Sequence, residues 1–405
     1  MTSRDTSQLQ KKYVYLDHAA TTPMDPDVFK VFTEYSINNF ENPSSLHEMG
    51  KRARKSVENS RKIIASSLNI HPKGVIFTSS GTESDNLALQ GIMRHRAKER
   101  PHLIVSQIEH PAIYNTAKYL EHEGFEVSYV PVTSEGFVEL SVLESLIQEN
   151  TQLISIHFVN NEIGTYQPIK EIGQLAKKNN IIFHSDAVQA FGKIPIDMQA
   201  LNIDLLSLSG HKLYGPKGVG ALCINSQKLT SEKFSNLATF LEPMLYGGLQ
   251  ENSLRPSTEN VPAIIALGRA VENAEQNMNK WKEQGKKLQE VFISEVLTKI
   301  PYSYLNGNQE KRLYNNCNFR FDGVDGFDLL MLLDNQGIAT STGSACSSKS
   351  DKPSRVLTSL GLSPSDASGS IRLTLGKGTT AEDIQYTVAK MERALKQLRF
   401  ATHFQ

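Results

Sequence analysis

Along most of this chain, short apolar runs alternate with longer stretches in which apolar positions recur at helical spacing. Residues 75–78, Val-Ile-Phe-Thr, form a compact apolar strand, and the helical pattern Asp85-Asn86-Leu87-Ala88-Leu89 follows almost at once. Further strands are expected at 103–106, 126–130, 153–159, 181–183, 203–208 and 220–224, with helices near 112–123 and 141–149 between them. Upstream lie a short strand at 15–16 and helices at 25–40, with Pro26 near its start, and at 47–68. Strands alternating with helices through short connections predict a mostly parallel sheet covered on both faces. From 262 to about 300 the pattern is long, polar and helical, with the only tryptophan, Trp281, and a weak point at Gly285; it reads as one or two helices. A smaller α+β region follows, with strands at 315–321 and 371–375 and helices at 327–336 and 381–398.

Ligands of such sheets bind beyond the carboxyl ends of the strands, so the polar residues found there matter. Ser79-Ser80-Gly81-Thr82-Glu83-Ser84 joins a strand to a helix start, where free backbone N–H groups and the helix dipole favour a phosphate. Read alone, the same segment is equally a helix cap using Glu83. Glu109-His110-Pro111, Asn160-Asn161-Glu162 and the run from His184 through Asp186 to Gln189 close three further strands. Each has an ordinary explanation as a cap or core residue. Together they supply an imidazole, amides and a carboxylate along one rim.

The next strand ends in Ser207-Leu208-Ser209-Gly210-His211-Lys212-Leu213-Tyr214-Gly215. A lysine among glycines and short polar residues is poorly placed for a surface ion pair, and an amine in such a turn can form a Schiff base with an aldehyde cofactor. A plain strand, turn and strand is the alternative. In the second region, Thr342-Gly343-Ser344-Ala345-Cys346-Ser347-Ser348-Lys349 surrounds one thiol with small residues. Such a segment, about 340–353, packs poorly as core and is expected to be mobile, and nearby Lys349 and Lys352 favour thiolate at Cys346.

Composition narrows the function classes. The 405 residues carry 43 basic and 43 acidic side chains, a balance that gives no bulk attraction to nucleic acid or an anionic membrane. No apolar run reaches bilayer length and residues 1–12 are polar, so a cytoplasmic location is expected. Three separated cysteines, Cys223, Cys317 and Cys346, indicate neither a disulfide framework nor a thiolate metal site. His47-Glu48 lacks the second histidine of a zinc-protease motif, Lys51 standing in its place, and no metal is expected.

These residues, in this order, resemble the cysteine desulfurases of the NifS/IscS type, members of the class V aminotransferase group of pyridoxal-phosphate (PLP) enzymes. The likeness runs from Tyr15-Leu16-Asp17 to the last helix. It rests on Thr82-Glu83-Ser84-Asp85-Asn86, Asn160-Asn161-Glu162-Ile163-Gly164, His184-Ser185-Asp186-Ala187-Val188-Gln189, Ser209-Gly210-His211-Lys212 and Gly343-Ser344-Ala345-Cys346-Ser347-Ser348. It implies PLP fold type I, the aspartate aminotransferase-like α/β architecture. A large domain, 21–274, would hold a mostly parallel seven-stranded sheet between helices, and a smaller α+β domain would comprise 1–20 and 275–405.

The resemblance also implies site roles. Lys212 would hold PLP, Asp186 would pair with the ring nitrogen, Gln189 would contact the ring oxygen and His110 would stack on the ring. Gly81, Thr82, Ser209 and His211 would bind the phosphate, with Thr258 reaching it from the neighbouring subunit of a homodimer. Asn161 and Arg372 would receive the substrate, L-cysteine, whose sulfur would pass to Cys346 as a persulfide while alanine is released. A sulfur-acceptor protein, either an iron–sulfur scaffold or a transfer-RNA thiolation enzyme, would follow, without direct contact to nucleic acid or membrane. The chain ends soon after its last helix, without the longer tail expected to meet a scaffold, which leaves the acceptor open.

Departures from the family pattern are local. Ser80-Gly81 replace Gly-Ala, Tyr246-Gly247-Gly248-Leu249 replace His-Gly-Gly-Gly, and Pro256-Ser257 replace Ser-Gly or Ala-Gly before Thr258. A selenocysteine lyase or an aminotransferase for small amino acids shares the implied fold, though an aminotransferase has no use for a mobile thiol. A catalytically inactive docking protein is the alternative of another class, and it would not need lysine, aspartate, glutamine and arginine together.

Overall fold

The structure, a computed structural model, describes residues 12–97, 100–225, 240–343 and 353–402. Cys346 therefore lies outside the described residues. Seven strands form the main sheet, in spatial order β2 (Val75–Thr78), β8 (Gly220–Ile224), β7 (Leu205–Ser209), β6 (Ile182–Asp186), β5 (Thr151–Ser155), β3 (His102–Ser106) and β4 (Glu126–Val130). Only β8 runs antiparallel to its neighbours; the register between β6 and β7 pairs Asp186 with Ser207. Apart from the edge strand β4, nearly every residue of this sheet is buried, as expected for a sheet covered by helices on both faces. Strand order reverses at β3, which lies between β4 and β5, so the chain leaves a crevice beyond the ends of β3 and β5.

Covering this sheet are α1 (Pro26–Ile37), α2 (Glu48–Ser67), α3 (Gly81–His95), α4 (Pro111–His122), α5 (Leu140–Ser145) and α6 (Ile169–Lys178). The sequence pattern missed α6, and it extended α5 and β5 beyond their observed ends. Beyond Ser155, residues 156–159 stay buried but leave the ladder to become the site-bearing loop. An ion pair ties two segments distant in sequence: Arg61 grips Glu251 through two bonds of 2.9 and 2.7 Å and also donates to the carbonyl of Val75. Glu251 in turn accepts the N–H of Phe77, which closes the outer end of the sheet.

The expected one or two helices after 262 are a single helix, Val261–Lys299, unbroken at Gly285. A Cβ on Gly285 would lie 2.4 Å from the Tyr314 ring, so glycine is there for close packing and not as a break. The first half of this helix packs in the core of the main sheet through Val261, Ile264, Leu267 and Val271. Its second half enters a separate core with Phe292, Ile293 and Val296. That second core also holds Val14 and Leu16 of the N-terminal segment and surrounds a three-stranded antiparallel sheet, β12 (Ser370–Thr374), β10 (Asn316–Phe321) and β9 (Ser303–Leu305). β1 (Val14–Tyr15) pairs with β11 (Ile338–Ala339), anchoring the N-terminal segment to the smaller unit. Among the described residues, no helix is long and apolar enough to cross a membrane.

Candidate active site

The carboxyl ends of β2, β3, β5, β6 and β7 open on a cavity of about 190 Å³. α3 begins at its edge. Ser80 caps that helix, its Oγ accepting the N–H of Glu83 at 3.1 Å, which leaves the N–H groups of Gly81 and Thr82 without intrahelical acceptors. Glu83 meanwhile accepts from Ser79 N–H at 2.8 Å and from Arg255 at 2.8 Å, so it serves the helix start and leaves the cavity to the backbone. A Cβ on Gly81 would sit 2.6 Å from Val188 Cγ2 and 3.5 Å from Ser209 Cβ, which sets how closely the helix start, the β6 turn and the β7 end approach.

Lys212 follows β7 in a short 3₁₀ turn, Gly210–Lys212, and its Nζ donates to the carbonyls of Ala19 and Ala20, both at 2.6 Å. His211 bonds Thr21 Oγ1 through Nδ1 at 3.0 Å. Burial and the Lys212 charge push its imidazole down to about 4. Ser209, the last residue of β7, is buried, and its Oγ has no hydrogen-bond partner.

Asp186 ends β6. Its Oδ1 accepts the N–H of Val188 at 2.9 Å, while burial lifts its carboxyl to about 6. Behind it lies Asp85, one turn into α3, held well above the usual carboxylate range by burial and then by the Asp186 charge. Gln189 spans the far wall, donating from Nε2 to the carbonyl of Ala19 at 2.9 Å. His110 both caps α4, accepting the N–H of Ala112 at 3.1 Å, and lines the cavity; burial, then the Lys212 charge, push its imidazole down to about 4. Capping and site-lining were alternatives in the sequence, and the structure combines them.

Arg372 enters from β12 of the smaller sheet. Its side chain is almost completely buried, donating to the carbonyl of Asn161 at 3.0 Å and to Asp17 at 2.9 Å, with Nε unpartnered. Asn161 lines the same cavity. Thr258 is not among the lining residues and is exposed on this chain. Preceding it, Ser257 adopts φ +137, a backbone region that non-glycine residues rarely enter, in the place where the resemblance led one to look for glycine.

The cavity thus gathers Gly81, Thr82, His110, Asn161, Asp186, Gln189, Ser209, His211, Lys212 and Arg372. Sequence reading missed Asp85, His157, Val188 and the Ala19 and Ala20 carbonyls. His157 donates from Nδ1 toward Glu109 at 3.1 Å, and Glu109, fully buried, is held below its usual value by burial-opposing bonds from His157 and Ser106. The remaining cysteines, Cys223 and Cys317, are buried, and burial pushes both thiols up, Cys317 to about 12.

Known proteins share this architecture. A solved structure described as a NifS-like protein superposes with a TM-score of 0.87 at 35% identity, covering 95% of this chain and all (100%) of that one. Another, described as SspA in complex with cysteine, gives 0.77 at 36% identity and covers 91% of this chain and 100% of its own. A cysteine desulfurase IscS from Dictyoglomus turgidum is 44% identical over 96% of each chain. Fold and site together define an α/β protein of PLP fold type I. The chain belongs to the aminotransferase class-V family, whose model matches residues 14–387.

Proposed function

We propose that this chain is a pyridoxal-phosphate-dependent cysteine desulfurase, converting L-cysteine to L-alanine and passing the sulfur through a Cys346 persulfide to an acceptor protein. The cavity carries this reading: the Lys212 amine, the buried carboxyls of Asp186 and Asp85, the neutral imidazole of His110 and an open helix N-terminus face the same space. The near-full-length likeness to a cysteine desulfurase supports it.

The residues fit the cofactor. Ser209 Oγ and Asp85 Oδ1 are buried without hydrogen-bond partners, and the missing side chain at Gly81 keeps the helix N-terminus open to an anionic ligand. Pyridoxal phosphate, when bound, supplies an aldehyde that condenses with amines and a ring that takes up the charge released at the substrate Cα. Gly81, Thr82, Ser209 and His211 would hold its phosphate, and Lys212 its aldehyde. Asp186 would meet the ring nitrogen; a carboxylate lifted by burial regains its charge beside a cation, which keeps that nitrogen protonated. His110, neutral at physiological pH, can lie against the ring without charge repulsion.

For the substrate, the Arg372 guanidinium and Asn161 are suited to the amino-acid carboxylate. Lys212, once displaced as a free amine, takes the α-proton and returns a proton to the product. The Cys346 thiolate attacks the substrate sulfur: an S–S bond forms, the C–S bond breaks, and its electron pair goes to the β-carbon that becomes the methyl group of alanine. Conversion of a tethered thiol to a persulfide then leaves sulfur in a form another thiol can remove.

The reading extends to a homodimer in which Thr258 serves the neighbouring phosphate site, to cytoplasmic location, and to an acceptor that is an iron–sulfur scaffold or a transfer-RNA thiolation enzyme. A large unit at 21–274 and a small one at 1–20 with 275–405 are supported by the separate apolar cores, one holding Val28 through Ala274 with Leu313 and the other Val14, Leu16 and residues from Phe292 to Leu395. Mass spectrometry after brief exposure to L-cysteine tests the function, with the Cys346 peptide expected to gain one sulfur. Cys346→Ser should retain a spectral response to L-cysteine but release no sulfide. Full sulfide release from that variant would instead point to a lyase of the selenocysteine type.

A further inference from the structure

Beside the site stands a second lysine that the mechanism above does not use. Lys193 closes the tight turn that begins at Asp186, and it is only 6% exposed. Its Nζ donates to the main-chain carbonyl of Gln189 at 2.9 Å and to Gln189 Oε1 at 3.3 Å. Among the described residues, no carboxylate forms an ion pair with it. A buried ammonium without a counter-ion is costly, and lysines are seldom found so.

Two consequences follow from the geometry. Oε1 of Gln189 is held by Lys193, so the other end of that carboxamide is its N–H₂ group, which donates to the carbonyl of Ala19 at 2.9 Å. The same carbonyl accepts Lys212 Nζ at 2.6 Å. Lys193, Gln189, Ala19 and Lys212 therefore form one connected chain, and reversal of the amide would set an N–H₂ group against the Lys193 ammonium. The second consequence is electrostatic. Lys193 and Lys212 both line a much smaller cavity of about 20 Å³, walled by Tyr214, Trp281 and Tyr314. In such a setting like charges repel through little water.

We propose that Lys193 is a positioning residue of this site, which fixes the Gln189 carboxamide with its N–H edge toward the Ala19 carbonyl and biases Lys212 toward the uncharged amine. The inference rests on the PLP reading above and deepens it. The titratable groups around Lys193 are Lys212 after β7, His18 after β1, His211, Lys377 and the phenols of Tyr214 and Tyr314, which burial keeps protonated. None of them is a carboxylate, so no neighbour among them offsets its charge by pairing. Burial, and after it the Lys212 charge, bring Lys193 itself to about 7, which makes it sensitive to the protonation of its neighbour near neutral pH.

The test is a pH titration of the visible absorption band of the cofactor-loaded protein, for wild type, Lys193→Met and Lys193→Arg. Removing a positive charge beside the Lys212 nitrogen should raise the midpoint in Lys193→Met by about one pH unit, and Lys193→Arg should restore most of that shift. An unmoved midpoint in Lys193→Met overturns the proposal while the band itself upholds the cofactor reading. Absence of the band in wild-type protein loaded with pyridoxal phosphate overturns both. Should Lys193→Met fail to fold, NMR of wild-type protein labelled at lysine Cε decides. Titration of Lys193 near neutrality supports the proposal, and titration at the ordinary lysine value of about 10.4 overturns it.

Discussion

Replacing Ser209 with alanine should have opposite effects on the empty and the loaded protein. In the empty protein, Ser209 Oγ is buried with no hydrogen-bond partner, beside the start of α3. Leaving a buried polar group unpaired costs about 1–3 kcal/mol, so Ser209→Ala should leave the stability of the apoprotein unchanged or raise it within that range. In the loaded protein, that hydroxyl would donate to a phosphate. A hydrogen bond to a charged group contributes about 1.5–3 kcal/mol, which at 1.4 kcal/mol per factor of ten weakens cofactor binding roughly 10- to 150-fold. Urea unfolding of the apoprotein and fluorescence titration with pyridoxal phosphate measure the two effects separately. An apoprotein destabilised by more than about 1 kcal/mol would mean that the hydroxyl has a structural partner. Unchanged cofactor affinity would remove Ser209 from the phosphate site.

Asp186→Asn tests the buried carboxyl through pH. The folded carboxyl is lifted to about 6, so between pH 4 and 6 the unfolded chain ionises while the folded one keeps its proton, and stability falls as pH rises. The apoprotein of Asp186→Asn should therefore exceed wild type at pH 7 by about 2–3 kcal/mol, a gap that closes toward pH 4. A constant gap across this window, measured by denaturant unfolding, would contradict a carboxyl lifted by burial. Gly285→Ala should destabilise the protein by about 1–3 kcal/mol, because the added methyl meets the Tyr314 ring. Tyr314→Leu in the same background should recover part of that loss, and simple additivity of the two changes would refute direct contact.

Much of the site was legible because its side chains sit at strand ends, where an apolar run stops and polar letters begin. Asp186, Ser209 and Lys212 were visible in this way. Asp85 was not, since it lies a turn inside α3, where its letter reads as one more helix-start acid. His157 hides in Ile156-His157-Phe158-Val159, a run that looks like unbroken strand. No pattern could announce the Ala19 and Ala20 carbonyls that receive Lys212, because main-chain acceptors carry no residue identity. Long-range pairs such as Arg61 with Glu251 were equally invisible, 190 positions apart. Gly285 was misread because glycine marks both a break and a tight contact, and only the position of Tyr314 separates them.

The helix from Val261 to Lys299 runs for about 58 Å at 1.5 Å per residue. Because opposite ends of this rod are cemented into different apolar masses, it works as a shared axle. Lys212 is mounted on one mass and Arg372 on the other, so the spacing between amine and guanidinium inherits the straightness of the axle. A kink near its midpoint, where Trp281 and Gly285 wall a cavity shared with Lys212, would shift the amine relative to the guanidinium.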